Sequence, residues 1–352
     1  MTPGLASLRL SAQTLAIGAV GALLAWALSM PLAFLAGPAL AVACASFAGV
    51  PVSIHNRLRD ACFVLIGLSV GGLVTPASLD AVAKWPVAFV LLAALTLVTP
   101  YIIRELLCRG FGFSRPEAFL AAAPGHLSMV VALTESLGLP LVRPVLMASF
   151  RVLILTLTVP LAATLAGVPI GPGLPSAPLI TSWLLIAPQI VAAVLLGWVL
   201  GKLKVPAPLL IGAMTVGAGA HLSGLAEGGM PPWVAQTVLV IMGSLIGSRF
   251  MGISLRAILS DFSAAVLAVL GSTALAALFA LAAARASGLP FLDVLIAFSP
   301  GGLETMIIVG AAAGADPSFV AAAHVSRLIV LAVLLSAFAI RHGRTPPPPD
   351  RR

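Results

Sequence analysis

The chain has 352 residues, of which 60% are hydrophobic and only 9% are charged, and its formal net charge is +8. So few charges cannot cover the surface of a soluble protein of this length, and the composition excludes a soluble enzyme or a soluble nucleic-acid-binding domain. We attribute the positive charge to the cationic flanks of membrane helices that face the cytoplasm.

Apolar runs of about 20 residues, long enough to cross the hydrocarbon layer of a bilayer, recur along the whole chain. Six fall in the first half and six in the second, and only short connections separate them. This pattern predicts an all-α integral membrane protein that crosses the lipid bilayer many times. In chain order, the predicted segments lie near residues 11–29, 31–50, 61–79, 85–103, 117–137, 144–166, 183–201, 206–226, 233–248, 262–284, 290–312 and 319–340.

The first apolar segment follows Arg9 as in a signal peptide, yet we expect it to remain as a spanning helix. Its stretch GALLAWALSMPLAFLAG has a counterpart downstream in AVLLGWVLGKLKVPAPLLIG, so it belongs to a repeated pattern. The chain is also apolar again directly after Met30, which argues against cleavage there.

The two halves of the chain repeat each other at an offset of 176 residues, which separates Arg151 from Arg327 (327 − 151). The stretch AAAPGHLSMVVALTESLG reads against AFSPGGLETMIIVGAAAG, and FVLIGLSVGG reads against LVIMGSLIGS. We therefore interpret the chain as an internal duplication. It comprises a first membrane repeat at 1–167, a linker at 168–182, a second membrane repeat at 183–341 and a disordered basic tail at 342–352.

The loop charges favour an inverted arrangement of the two repeats. If all twelve segments cross the membrane, 11 loop Lys and Arg residues lie on the side of the N-terminus and 6 on the other. If the Pro-Gly segment of each repeat enters and leaves on the same side, the distribution becomes 15 against 2, as expected for cytoplasmic loops rich in positive charge. Five spans per repeat then force the second repeat to be inverted, with both termini in the cytoplasm. Twelve kinked but complete helices remain the alternative, because proline is tolerated in membrane helices.

Each repeat carries a Pro-Gly pair within an apolar segment, and these pairs predict a binding site. Proline removes a backbone donor and glycine permits a tight turn, so the helix should break at mid-membrane depth. The break frees N–H groups at the start of the next half-helix, where a partial positive charge attracts anions. An inverted pseudo-two-fold axis would bring both breaks to one cavity. The predicted substrate- or ion-binding residues are Pro124, Gly125, His126, Ser128, Glu135 and Arg151 in the first repeat, and Pro300, Gly301, Gly302, Glu304, Thr305 and Arg327 in the second.

Several of these residues also have a purely structural interpretation. Ser128 and Thr305 can bond back to helix carbonyls, and Glu135 lies near a segment end, where an interfacial carboxylate is ordinary. A lone arginine two turns into a helix can extend its side chain to the interface. Arg151 and Arg327 recur at equivalent positions, however, so we expect them to meet a glutamate of the site or a substrate carboxylate.

The run SPGGLETMIIVGAAAGADPSFVAAAHVSRLIVL, together with the paired FVLIGLSVGG and LVIMGSLIGS, resembles the AbrB-type duplicated membrane proteins of Gram-negative bacteria. The resemblance covers nearly the whole chain and implies a multi-pass protein of the bacterial inner membrane. Members are labelled ammonia monooxygenases or regulators of gene expression, and the family is distantly similar to transporter folds built from inverted repeats. In the first repeat His126 replaces the second glycine of the motif and Ser128 replaces the glutamate, so the repeats need not have equal roles.

No pattern in the sequence predicts an enzyme, a metal site or a cofactor. The five histidines are scattered, and no nucleotide- or phosphate-binding fingerprint is present. We expect a secondary transporter of a small anionic solute. The alternative is a membrane sensor that acts indirectly on gene expression without net transport, and neither interpretation involves nucleic-acid binding. The solute, the use of H+ or Na+ as a coupling ion, and assembly as a homodimer stay open.

Overall fold

The computed structural model describes residues 3–74, 85–123, 127–174, 183–203, 205, 207–225 and 229–342. Over this part of the chain the secondary structure consists of fourteen α-helices, seven in each half. The first half contains α1 (Pro3–Ala27), α2 (Ala33–Phe47), α3 (Asn56–Gly71), α4 (Trp85–Phe111), α5 (Arg115–Ala122), α6 (Leu127–Ser136) and α7 (Val142–Leu165). The second half contains α8 (Trp183–Lys202), α9 (Pro208–Leu222), α10 (Pro232–Ser248), α11 (Leu255–Ser287), α12 (Phe291–Phe298), α13 (Leu303–Ala312) and α14 (Pro317–His342).

Six helices of the described chain are long and apolar enough to cross a membrane: α1, α4, α7, α8, α11 and α14. Large apolar side chains cover their outer surfaces; Leu24 on α1 is 61% exposed and Trp198 on α8 is 60% exposed. Such surfaces are unfavourable in water and ordinary in lipid. The structure therefore agrees with the predicted all-helical membrane protein. The apolar helices α2, α9 and α10 are shorter, with 15–17 residues.

The second half contains its seven helices in the same order as the first, and several of them begin at the offset of the sequence repeat. α5 and α12 begin 176 residues apart (291 − 115), and so do α6 and α13 (303 − 127). The other helices correspond in the same order, from α1 with α8 to α7 with α14. The Pro-Gly stretches, which recur at this offset in the sequence, are thus flanked by helices that begin at the same offset.

The predicted interruption at Pro300-Gly301 is present, since α12 ends at Phe298 and α13 begins at Leu303. With 8 and 10 residues, the two pieces measure about 12 and 15 Å at 1.5 Å per residue, less than the hydrocarbon thickness. A Cβ atom built on Gly310 of α13 would lie 3.4 Å from Ile296 of α12, so the pieces lie against each other. In the first half α5 and α6 flank the corresponding position, but Pro124, Gly125 and His126 lie outside the described residues.

The helices pack in two groups. The panel group consists of α1–α3 and α8–α10, and the broken-helix group consists of α4–α7 and α11–α14. Within the panel group, helices of one half pack against helices of the other, since α2 packs against α10 and α9 packs against α3. We call these the exchanged contacts. Within the broken-helix group, α4 packs against its own equivalent α11, while α5 packs on α7 and α12 on α14.

Glycines make the exchanged contacts of the panel group possible. A Cβ atom at Gly67 of α3 would lie 2.6 Å from the carbonyl oxygen of Leu210 in α9. In the corresponding pair of helices, a Cβ atom at Gly247 of α10, the counterpart of Gly71, would lie 2.6 Å from the carbonyl oxygen of Ala39 in α2. Small residues allow such close approach of helix backbones in membranes. The glycines of the repeated stretches FVLIGLSVGG and LVIMGSLIGS therefore join one half of the chain to the other.

α4 and α11 run in opposite directions where they pack. Ile103 of α4 contacts the position of Gly271 on α11, at 3.0 Å from a Cβ atom built there. Earlier on α4, Thr96 lines a small cavity together with Ala276, which lies later on α11. The contacted residue number on α11 falls as the number on α4 rises, which is the pattern of an antiparallel pair.

Candidate functional site

A cavity of about 520 Å³ lies between the panel group and the broken-helix group. Its volume is within the range of small-molecule sites, roughly 300–1,000 Å³. Residues of α3, α9 and α10 line one side, and residues of α7, α13, α14 and the break before α13 line the other. Five of the predicted site residues line this cavity: Arg151, Gly301, Gly302, Glu304 and Arg327.

Arg327 on α14 binds the backbone at the break. Its Nη1 donates to the carbonyl oxygen of Ser299 at 2.6 Å, and its Nη2 donates to that of Gly301 at 3.0 Å. Carbonyls at the end of an interrupted helix lack donors within the helix. The guanidinium therefore satisfies acceptors that the break leaves free, through charge-assisted hydrogen bonds.

Arg151 on α7 makes the equivalent contact in the first half. Its Nη1 donates to the carbonyl oxygen of Ala123 at 3.1 Å, and Ala123 corresponds to Ser299 at the repeat offset (299 − 123). We expected a glutamate or a substrate carboxylate as partner of these arginines. Among the described residues, their hydrogen bonds go to main-chain carbonyl oxygens instead.

Each of the two guanidinium groups keeps a donor without a partner. The Nε atoms of Arg151 and Arg327 are buried and make no hydrogen bond within the described residues. The two residues are only 7% and 3% exposed, and their charges repel each other. A buried cation is unfavourable unless acceptors compensate its charge. The cavity is therefore suited to an anion.

Glu304 lies in the first turn of α13 and is 7% exposed. Its carboxylate is attracted electrostatically to Arg249, which directly follows α10 in the panel group. Gly302 is the N-cap of α13 and offers no side-chain acceptor, so the first N–H groups of this half-helix are not capped by it. Anions are stabilised at such a helix end, and Glu304 itself supplies one.

Three further charged residues line the cavity that the sequence analysis did not propose: Arg59, Asp60 and Arg249. Arg59 and Asp60 form an ion pair of 2.8 Å at the start of α3. Sequence reasoning placed Arg59 and Arg249 in loops, as markers of the cytoplasmic side. The sequence around Arg59 and Arg249 does not indicate that they line a cavity, because the cavity forms only when α3 and α10 pack against the broken-helix group.

The other predicted residues have different environments. Thr305 is buried and Pro300 lines the small cavity between α4 and α11 together with Arg327. Glu135 is exposed near the end of α6 and does not line the large cavity in the described part of the structure. Ser128 falls within α6, and its side chain lies outside the described residues.

The two halves differ at the ends of the broken-helix group. Arg143 at the start of α7 places its Nε 3.2 Å from Oδ2 of Asp261 and its Nη1 3.8 Å from Oε2 of Glu117. The repeat offset (319 − 143 and 261 − 85) puts Phe319 and Trp85 at the equivalent positions, with ring centroids 5.6 Å apart. Charges therefore join the elements at one end, and aromatic rings join them at the other.

Within the described residues, the helix broken at Pro300-Gly301 and the charged cavity between two helix groups define an all-helical membrane protein with a buried polar site. The family model described as "Transition state regulatory protein AbrB" matches residues 34–342. The chain belongs to this AbrB family, in agreement with the resemblance noted in the sequence.

Two relatives extend the comparison. "Putative regulator AbrB" of Escherichia coli (strain K12) is 24% identical over 319 residues, which cover 89% of this chain and 90% of that protein. "Uncharacterized protein YhjN" of Bacillus subtilis (strain 168) is 29% identical over 245 residues, or 63% of this chain and 62% of that protein. The second match thus spans less than two thirds of the length of that relative.

Proposed function

We propose that the protein is a secondary transporter that carries a small anionic solute across the inner membrane. The observation that carries the proposal is the convergence of Arg151, Arg249 and Arg327 with the start of a broken half-helix at one solute-sized cavity. Broken backbone and ionised groups at such depth are unfavourable unless they are buried in protein or serve a solute or ion pathway.

Contacts at the ends of the Pro-Gly segments support re-entrant hairpins. A segment that crossed the membrane would separate its two ends by about 30 Å. The backbone N–H of Asp316 instead donates to Oδ2 of Asp293 at 3.3 Å, so both ends of the second segment lie side by side. Glu117 and Arg143, 3.8 Å apart, bring together the ends of the first segment. These contacts favour hairpins over kinked but complete helices.

The antiparallel packing of α4 and α11 supports inverted repeats. These helices are equivalent in the two halves, and both are long enough to cross the membrane. Two equivalent spans that run in opposite directions require opposite orientations of the two repeats. With five spans and one hairpin per repeat, both termini then lie in the cytoplasm. Inverted repeats around a central site are the usual basis of alternating access.

The contacts between the panel group and the broken-helix group differ at positions that correspond in the two halves. α2 of the panel group packs against α7, whereas the equivalent helices α9 and α14 border the cavity through Leu209 and Leu328. We infer that during transport α9 comes to pack against α14 while α2 separates from α7. This change would move solute access to the cavity from one face of the membrane to the other. A H+ or Na+ gradient would supply the energy.

The proposal is tested by solute uptake into liposomes that contain the purified protein, under imposed H+ or Na+ gradients. Labelled acetate, succinate, sulfate and phosphate serve as probes. We expect uptake of an anion to be lost in Arg327→Gln and Glu304→Gln and to be kept in Arg256→Gln, whose arginine is exposed on α11. Saturable binding without uptake would favour the sensor alternative, and unchanged uptake in both cavity variants would contradict this site.

A further inference from the structure

The charges that line the cavity are not balanced among the described residues. Two of its four arginines are matched by carboxylates. Arg59 pairs with Asp60 at 2.8 Å, and Arg249 is attracted to Glu304. No third carboxylate belongs to the described lining. Two positive charges are therefore left in the wall of the cavity.

The two unmatched charges belong to Arg151 and Arg327, the residues related by the repeat offset (327 − 151). Both are almost fully buried, and the Nε of each lacks a hydrogen-bond partner in the described structure. The Nε–H of arginine and the neighbouring amino group form the edge that binds a carboxylate in a fork. Both residues line the cavity, so a carboxylate bound there can reach this edge of each, although Nη2 of Arg327 already donates one of its two hydrogens to the Gly301 carbonyl oxygen.

We propose that the cavity selects a small organic dianion, a dicarboxylate, with one carboxylate bound by Arg151 and the other by Arg327. The inference rests on the proposed function, since it names the substrate class of that transporter. A dianion neutralises both unmatched guanidinium groups, whereas a monocarboxylate leaves one of them buried without a counter-charge.

The size and the walls of the cavity favour an organic over an inorganic dianion. A volume of about 520 Å³ is far larger than a single compact oxyanion requires. Apolar side chains line it beside the arginines, among them Phe63, Val152 and Leu328. Such walls suit the methylene groups between two carboxylates. A sulfate ion would contact one guanidinium and leave these surfaces without a partner.

The inference is tested by calorimetric titration of the native protein in detergent micelles, which requires no transport. The probes are malonate, succinate, glutarate and adipate, each against the monocarboxylate of equal chain length, such as butyrate for succinate. We expect the best dicarboxylate to bind about tenfold more tightly or better than its monocarboxylate, the factor that one additional charge-assisted hydrogen bond contributes.

Substitutions of Arg151 and Arg327, with a matched control, test whether these residues bind the two carboxylates. Arg151→Gln and Arg327→Gln should each reduce the affinity for the dicarboxylate to that for the monocarboxylate, and Arg256→Gln should leave the preference intact. Arg151→Lys and Arg327→Lys keep the charge beside the break but lose the fork. They should therefore weaken dicarboxylate binding even if a Gln variant does not fold.

Other results would overturn the dianion. These are equal binding of monocarboxylates, tighter binding of sulfate than of every dicarboxylate, binding of none of the dicarboxylates, or an unchanged preference in the folded arginine variants. Each leaves the proposed transport function in place if liposome uptake of another anion still requires Arg327. Failure of uptake for every anion, by contrast, would contradict the transport function itself.

Discussion

Nη1 and Nη2 of Arg327 donate hydrogen bonds to the carbonyl oxygens of Ser299 and Gly301, and its Nε has no partner in the described structure. A ligand bound at Nε would therefore be linked through one rigid, planar group to the backbone of the break. The pull of an anion on this guanidinium would act on the turn between α12 and α13. Arg327 thus connects the proposed ligand site to the backbone of the break.

A double-mutant cycle should distinguish the charge partners of Glu304. Arg249→Gln and Glu304→Gln should each lower the free energy of unfolding, because each leaves the opposite charge poorly compensated. The double variant should be less unstable than the sum, with a coupling of about 0.5–3 kcal/mol. Arg327→Gln with Glu304→Gln should be closer to additive, because the hydrogen bonds of Arg327 go to main-chain carbonyls.

Chemical denaturation in detergent micelles measures these free energies. A larger coupling of Glu304 to Arg327 than to Arg249 would contradict the assignment.

At the scale of helices, the half-helices α5, α6, α12 and α13 are the elements on which the site depends. None of the four is long enough to cross the bilayer by itself. The start of each pair lies beside the helix that follows it, through Asp293 with Asp316 and through Glu117 with Arg143. Such proximity is expected for the proposed hairpins, whereas a kinked span would separate the two ends, and this difference leads to a test of topology.

Cysteine labelling should place both ends of the first hairpin on one side of the membrane. Arg109→Cys lies before α5 and Val142→Cys lies after α6, and both native side chains are exposed. In a background without native cysteines, both positions should react with a membrane-impermeant maleimide only when the cytoplasmic face is accessible. In a complete span, the two positions would react from opposite faces.

Much of this element-level description could be predicted from the sequence. Apolar run length and the effects of proline and glycine are local properties, so the order of the apolar segments and the interruption at Pro300-Gly301 followed from them. The helix ends followed less closely: α3 is Asn56–Gly71, where a segment near 61–79 was predicted. The shared environment of Arg151 and Arg327 followed from their common offset. The position of Arg249 at the cavity could not be predicted in this way. It depends on which helices of the other half pack beside α10, and the sequence of α10 does not indicate these partners.

At the scale of the whole molecule, two groups of helices face each other across the cavity, and different contacts join the two ends of the broken-helix group. Arg143, Asp261 and Glu117 join the elements at one end, while Trp85 and Phe319 join them at the other. Salt screens contacts between charges and leaves aromatic packing nearly unaffected. In the proposed alternating-access cycle, the two ends should therefore differ in their response to ionic strength.

Cross-linking across the cavity should arrest transport. Ala207→Cys and Leu328→Cys place one thiol on each side of the cavity, and a flexible bismaleimide between them should abolish liposome uptake because the groups can no longer move apart. Ile103→Cys with Gly271→Cys is the matched control, since both residues belong to the broken-helix group and are in contact. Full activity after complete cross-linking of the cavity pair would contradict relative movement of the groups.

The exchanged packing of α3 on α9 also has a consequence for the order of events during synthesis. Gly71 at the end of α3 must wait until Met214 of α9, which it contacts, has been made, 143 residues later (214 − 71). At roughly 5–20 residues per second, this wait lasts about 7–29 s. Throughout that interval the glycine face of α3 lies against lipid or against another helix, and any helix that occupies it must leave before the two halves can join.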